Sequence, residues 1–262
     1  MLNPMTTSFV DRLRRNDEAA WFELWETFGP VLRAQLTKWG NGRIGRETVR
    51  DLSQETMAAL SNSIDRYDPS KGARFSTWLL AIAKHVLGDE LDKRMAKKRG
   101  GGRRAADFDE AWMASSNVQG ADEKYEAAVF GAKVEAALRL VEKQADFMDF
   151  AIYRMRVLDG TSGKDVAANT GMSEPTVSRR LAKVREMVRA QLAEVIETYS
   201  FTPEERAEAQ RNGISLLPNR EGGSPDDALF DEAIAEMYHK HMAIRHEDQR
   251  AWTDGQASSS SV

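Results

Sequence analysis

Apolar residues recur every three or four positions along most of the 262-residue chain, and no stretch alternates apolar with polar side chains. A period near 3.6 builds helices with one buried face, whereas a half-buried strand needs a period of two. The chain therefore has helices to pack and no sheet to pack them on. From Asp17 to Trp39, the residues Trp21, Leu24, Trp25, Phe28, Leu32 and Leu36 keep the helical spacing. A second helix is expected over Thr48 to Ile64, with Leu52, Thr56, Leu60 and Ile64 in one row. A third starts near Phe75 and carries Trp78, Ile82, Val86 and Leu87 on one side. The segment Asp68-Pro69-Ser70-Lys71-Gly72 between them is rich in turn formers.

The periodicity fails from Lys97 to about Asp122. Lys97 to Arg104 is a basic, glycine-rich tract followed by small and polar residues, the composition of a linker. Helical spacing resumes near Ala127 with Val134, Leu138 and Val141, then Phe150, Tyr153 and Val157. A loop at Asp159-Gly160 leads to two compact helices and a long run to Tyr199. Beyond residue 200, helices are expected at about 203–211 and 226–245, the second with an apolar stripe of Leu229, Ile234 and Met237. The Ser-rich end has the composition of a disordered tip. The expected fold is all-α: two small helical domains joined by a flexible linker, the second containing a helix-turn-helix, plus a partly helical C-terminal tail.

Net charge is −4, which by itself argues against a nucleic-acid binder. The distribution says otherwise. Residues 64–104 carry eleven basic and five acidic groups, a net of +6, and residues 161–190 carry six and three, a net of +3. The tail, 201–262, has six basic and twelve acidic groups, a net of −6. Phosphate binding needs local positive potential rather than a positive total. The bland alternative is a set of solvated helix faces. An acidic tail beside two basic blocks can compete with phosphate for them, dock a regulator or simply solubilise the chain. There is no cysteine, so disulfides and thiolate metal sites are excluded. No apolar run approaches twenty residues, and Met1 to Val10 lacks the basic-then-apolar layout of a secretory signal. The expected location is the cytoplasm, without membrane insertion.

The sharpest local motif runs from Thr161 to Leu181 and reads as helix, tight turn, helix. Ala167 is small where two helices would touch, and Gly171 follows where the turn needs a positive φ. Ser173 is placed to cap the next helix, and Pro175 suits its first turn. Val177 and Leu181, four apart, bury the inner face, leaving Thr176, Ser178, Arg179, Arg180 and Lys183 outside. Hydroxyl and guanidinium groups on an exposed second helix suit base edges and phosphates in the major groove of DNA. The alternative is a plain helical hairpin with a solvated second helix.

Three further pieces stand N-terminal to this motif. They are Asp51-Leu52-Ser53-Gln54-Glu55, Asp65-Arg66-Tyr67-Asp68, and Gly72-Ala73-Arg74-Phe75-Ser76-Thr77-Trp78, followed by Ile82-Ala83-Lys84. Together they resemble conserved region two of the sigma-70 family of RNA polymerase sigma factors. The segment 126–192 is similar to region four of that family, in the expected order. The resemblance covers about 17–96 and 126–192, and the short linker points to the extracytoplasmic-function-like group. It implies domains at 1–96 and 126–199, a basic linker at 97–125 and an acidic C-terminal extension at 200–262.

The resemblance implies a promoter-recognition subunit with no catalysis of its own, no cofactor and no metal. Its partners would be bacterial RNA polymerase core and promoter DNA, with an anti-sigma factor as the further kind of partner the family allows. Asp51, Gln54 and Glu55 would meet the clamp helices of the largest polymerase subunit, with Leu52, Thr56 and Leu60 facing inward. The alternative for these acidic groups is a helix start, where they suit the dipole. Tyr67, Lys71, Arg74, Lys84, His85, Lys93 and Arg94 would bind and melt the downstream promoter element, with Tyr67 and His85 lining a flipped-base pocket. Phe75 and Trp78 have the spacing of core residues. Thr176, Ser178, Arg179, Arg180 and Lys183 would bind the upstream element.

Two other functions compete. One is a stand-alone helix-turn-helix regulator, which would bind its operator tightly without polymerase. The other is a metal enzyme or sensor built on Glu236, His239, His241 and His246 in the tail, three of the chain's four histidines among them. A metal needs converging ligands, and His241 leaves the helix in another direction, so these histidines are expected to be solvated.

Overall fold

The computed structural model describes residues 4–68, 74–99, 123–200, 202–216 and 225–259. Among them there are helices and no strands. The chain divides into two compact units, Met1–Val129 with Ile244–Val262, and Phe130–Ala243.

The first unit is built from α1 (Pro4–Arg14), α2 (Glu18–Gly40), α3 (Arg46–Ser63), a 3-10 turn (Ile64–Arg66) and α4 (Phe75–Arg99). Asp17 starts α2, its carboxylate accepting from the backbone N–H of Ala20 at 3.1 Å. The helix stops at Asn41 in the left-handed region (φ 43°). Gly40 must be small there, because a Cβ would meet Ile44 at 2.4 Å. The core gathers Leu32, Leu36, Val49, Leu52, Ala83 and Leu87, with Trp39, Ile44, Val86 and Leu91 packed around it. Leu32, Leu36, Leu52, Val86 and Leu87 come from the expected rows of α2, α3 and α4, while Val49, Ala83, Trp39, Ile44 and Leu91 add to them; removal from water is worth about 25 cal/mol per Å² of apolar surface.

The second unit contains most of α5 (Glu123–Gln144), then α6 (Phe147–Tyr153), a π-helical turn (Arg154–Leu158), α7 (Gly163–Thr170) and α8 (Glu174–Tyr199). Ile152, Val166, Ala167 and Val177 form its core around α7 and α8, flanked by Met148, Met155, Met172 and Leu181. Two short helices follow, α9 (Pro203–Arg206) and α10 (Glu208–Arg211), and then α11 (Pro225–Ser259). Thr202 and Glu205 close a capping box at the start of α9.

The tail differs from its expected form. Its second helix reaches Ser259 rather than stopping near 245, and so runs into the Ser-rich end. No proline interrupts it after Pro225, and extending a nucleated helix costs little per residue. The apolar row is Phe230 and Ile234, continued by His241, while Leu229 points into solvent. His241 is buried rather than solvated, and a Cβ on Gly131 would lie 3.1 Å from its own Cβ. Each part of the tail is also held by charge within its own unit. In the second, Arg185 bonds Asp231 and Asp227, Arg189 bonds Asp227, and the Arg189 guanidinium lies 4.4 Å over the Phe230 ring. In the first, Arg33 makes two bonds of 2.7 Å to Asp248, and Arg245 lies 3.7 Å from Glu26.

Candidate nucleic-acid interface

α3 begins at Arg46, so Asp51 is beyond the first turn. The helix dipole acts within that turn and does not account for acidic groups at 51 and 55. Asp51, Gln54 and Glu55 are exposed at i, i+3 and i+4, on the face opposite the buried Leu52, Thr56 and Leu60. Thr56 is held in the core by a bond from its hydroxyl to the carbonyl of Leu52 at 2.7 Å.

The region around the turn before α4 departs from the expected open pocket. Tyr67 is 3% exposed. Its ring stacks on Trp78 at 4.8 Å between centroids and meets Phe75 edge-on at 5.4 Å. Its carbonyl accepts from Arg14 at 2.8 Å. Tyr67 is therefore part of an aromatic core with Phe75 and Trp78, and its faces are closed to a stacking base. Lys71 lies outside the described residues. Arg74 is tied to Glu126 at 2.7 Å.

Along α4, Lys84 and Lys93 are exposed, and His85 is half-buried with Nε2 3.6 Å from Asp89. Arg94 bonds Glu90 at 2.6 Å and the Thr48 hydroxyl at 2.7 Å, which fastens α4 to α3. Lys84 and Lys93 are nine residues apart, which at about 100° per residue puts them on opposite sides of the helix. The expected downstream set thus falls into an exposed part, Lys84 and Lys93, and a part engaged within the fold, Arg74 and Arg94.

In the second unit, α7 starts at Ser162, whose hydroxyl accepts from the backbone N–H of Asp165 at 3.1 Å. It ends at Gly171 with φ 66°, the left-handed position the sequence requires. α8 follows after Met172 and Ser173, with Pro175 in its first turn. Ser173 occupies the cap position but makes no side-chain cap bond; its hydroxyl lies 2.9 Å from that of Thr176. Val177, Val184 and Val188 line the buried side of α8. Ser178 and Arg179 are exposed, and Thr176 is half-buried. Arg179 Nε donates to the Pro175 carbonyl at 3.3 Å.

Arg180 and Lys183 are placed differently. Both reach Asp149 on α6, Arg180 at 2.5 Å and Lys183 at 2.8 Å. The Asp149 side chain is 5% exposed. The bond from Lys183, opposed by burial and joined by the bond from Arg180, holds its carboxyl below the usual carboxylate range. No local pattern points to this partner, because it stands some thirty residues before the cations that it binds. Asp146, three residues earlier, caps α6 by accepting from the N–H groups of Met148 and Asp149.

Among the described residues, no group of three or more His, Cys, Asp or Glu is placed to hold a metal ion. His239 bonds the carbonyl of Leu158 at 2.8 Å. No described helix is long and apolar enough to cross a membrane.

Residues 24–97, which take in most of α2, all of α3 and nearly all of α4, match the family model for Sigma-70 region 2. The match supports a member of the sigma-70 family, whose members are transcription initiation factors rather than an enzyme class. No curated protein matches the chain.

Proposed function

We propose that the chain is an RNA polymerase sigma factor of the two-domain, extracytoplasmic-function-like kind, acting in the cytoplasm. It binds bacterial core polymerase, recognises promoter DNA and helps to melt it. Residues 1–96 and 126–199 serve as the two working domains, joined through 97–125, with 200–262 as an extension. The match of residues 24–97 to Sigma-70 region 2 carries this reading. The exposed stripe of Asp51, Gln54 and Glu55 lies inside the matched span and suits a basic helical partner on the polymerase. Lys84 and Lys93 offer phosphate contacts on opposite sides of α4, and His85, next to Lys84, is offered to an unpaired base. Tyr67 is left out of the base-reading surface, because its ring is enclosed.

On α8, the upstream element is met by Thr176, Ser178 and Arg179, with Arg180 and Lys183 at the edge of the same surface. An anti-sigma factor would be a regulatory partner of such a protein.

The test mixes the full chain with bacterial core polymerase and bacterial genomic DNA fragments and maps transcription start sites. New start sites that require the chain are expected. Absence of new sites together with no co-elution with core would overturn the reading. Tight sequence-specific DNA binding without core would indicate a stand-alone regulator instead.

A further inference from the structure

We propose that Asp149 is a positioning residue for α8: it holds Arg180 and Lys183 as supports and leaves Arg179 as the guanidinium that reads base edges. The inference rests on the DNA-binding reading of α8 given above. The five polar residues on this helix look equivalent as a sequence, but their surroundings separate them. Arg179 is exposed on the side opposite the Val177, Val184 and Val188 row, and its bond to the Pro175 carbonyl uses Nε alone. Arg180 is one residue, about 100°, further round the helix, toward α6. There its Nη1 lies 2.5 Å from Asp149 and 3.8 Å from Asp146.

Reading guanine takes a guanidinium free to aim two parallel N–H groups at the base, and that of Arg180 is already held through its Nη1 by the enclosed Asp149 carboxylate. The Lys183 side chain is 63% exposed, yet its ammonium group is 2.8 Å from the same carboxylate. Neither cation can move to DNA without cost. A carboxylate as enclosed as Asp149 would be left without compensation if both departed. Asp149 therefore fixes two cations on the flank of α8 and sets how its outer face is presented. It also withholds two positive charges from indiscriminate phosphate binding. Sequence selectivity then falls to Arg179, with Thr176 beside it on the same side of the helix.

The experiment uses holoenzyme, the full chain with bacterial core polymerase, and a promoter library randomised over the upstream element. Bound fragments are sequenced, and affinity for the preferred fragment is followed with salt. Arg179→Ala should lose about 5- to 150-fold of the preference for the correct base at one or two positions. Arg180→Ala and Lys183→Gln should keep the parent's preferred sequence. Asp149→Asn should broaden the preference and steepen the salt dependence by up to about two phosphate contacts, near 1.8 in slope. That steepening should vanish when Arg180→Ala and Lys183→Gln are added, which a merely structural role for Asp149 does not predict. Asp149→Glu, which keeps the carboxylate, should retain the parent's slope.

If Arg180→Ala relaxes the preference as much as Arg179→Ala does, the division of roles is overturned. An unchanged salt slope in Asp149→Asn overturns the restraint on phosphate binding. Should that variant fail to fold, the Arg179 and Arg180 comparison still decides the assignment. If the parent holoenzyme selects no sequence, the promoter reading itself fails, and that outcome is distinct from selection by the parent with unexpected variant behaviour.

Discussion

On α3 the carboxylates of Asp51 and Glu55 stand in solvent, whereas on α6 the carboxylate of Asp149 is enclosed between Arg180 and Lys183. The first pair can be changed without leaving anything buried unpaired, and so is available to a partner. The second cannot, because charge removed from water has to be matched by charge. The same contrast runs through the basic groups: Lys84 and Lys93 on α4 face solvent, while Arg185 and Arg189 on α8 are enclosed with the tail's Asp227 and Asp231. Charge type alone does not tell a binding surface from a structural brace. Enclosure does, and it predicts a graded series of effects.

The largest effect is expected at the tail. Asp227→Ala removes the carboxylate shared by Arg185 and Arg189, both nearly inaccessible. Breaking a buried pair from one side costs about 3–5 kcal/mol. All six Trp residues lie outside Phe130–Ala243, so Trp fluorescence would miss the loss. Far-UV circular dichroism during a urea titration should instead show an early loss of helix. A transition unchanged from the parent's would mean that α11 does not brace α8.

Arg180→Ala is expected to cost less, about 1–3 kcal/mol, because Lys183 stays beside Asp149 and the lost group was partly solvated. The same titration measures it. A cost as large as that of Asp227→Ala would erase the distinction between an edge support and an enclosed brace.

The third effect depends on pH. Asp149 titrates below the ordinary carboxylate value in the folded chain. Its contribution is therefore fully present above the unfolded value of about 3.9 and is lost as pH falls through the depressed folded value. The difference in melting temperature between the parent and Asp149→Asn should be constant near neutrality and shrink below about pH 4. A difference that stays constant down to pH 3 would show that the charge of Asp149 contributes nothing to the fold.

Much of this was legible in sequence because it is local. The rows of Leu52, Thr56 and Leu60 and of Val177 and Leu181 follow from helical period alone, as does the exposure of Asp51, Gln54 and Glu55. Gly171 was legible because a tight turn between helices demands a positive φ. What sequence reasoning missed depends on residues far apart in the chain. Tyr67 reads as a candidate stacking ring until Trp78 and Phe75 close over it. Asp149 precedes Arg180 by 31 positions, and Asp248 follows Arg33 by 215. No periodicity encodes such pairings. The burial of His241 likewise depends on a glycine over a hundred residues earlier, Gly131, that leaves room for it.

The smallest effect on stability, and the sharpest on function, is expected on α3. Charge reversal at exposed sites usually stays within about 0.5 kcal/mol of the parent. The variant Asp51→Lys with Glu55→Lys should therefore melt with the parent, and its loss should appear only toward polymerase. The direct measurement is equilibrium association of the full chain with bacterial core polymerase, parent against this double variant. The parent should bind core, and the variant should bind at least about tenfold more weakly, or about 1.4 kcal/mol. Equal binding by the two proteins would contradict the assignment of α3 as the polymerase-facing surface, and no binding by the parent would contradict the sigma-factor account itself.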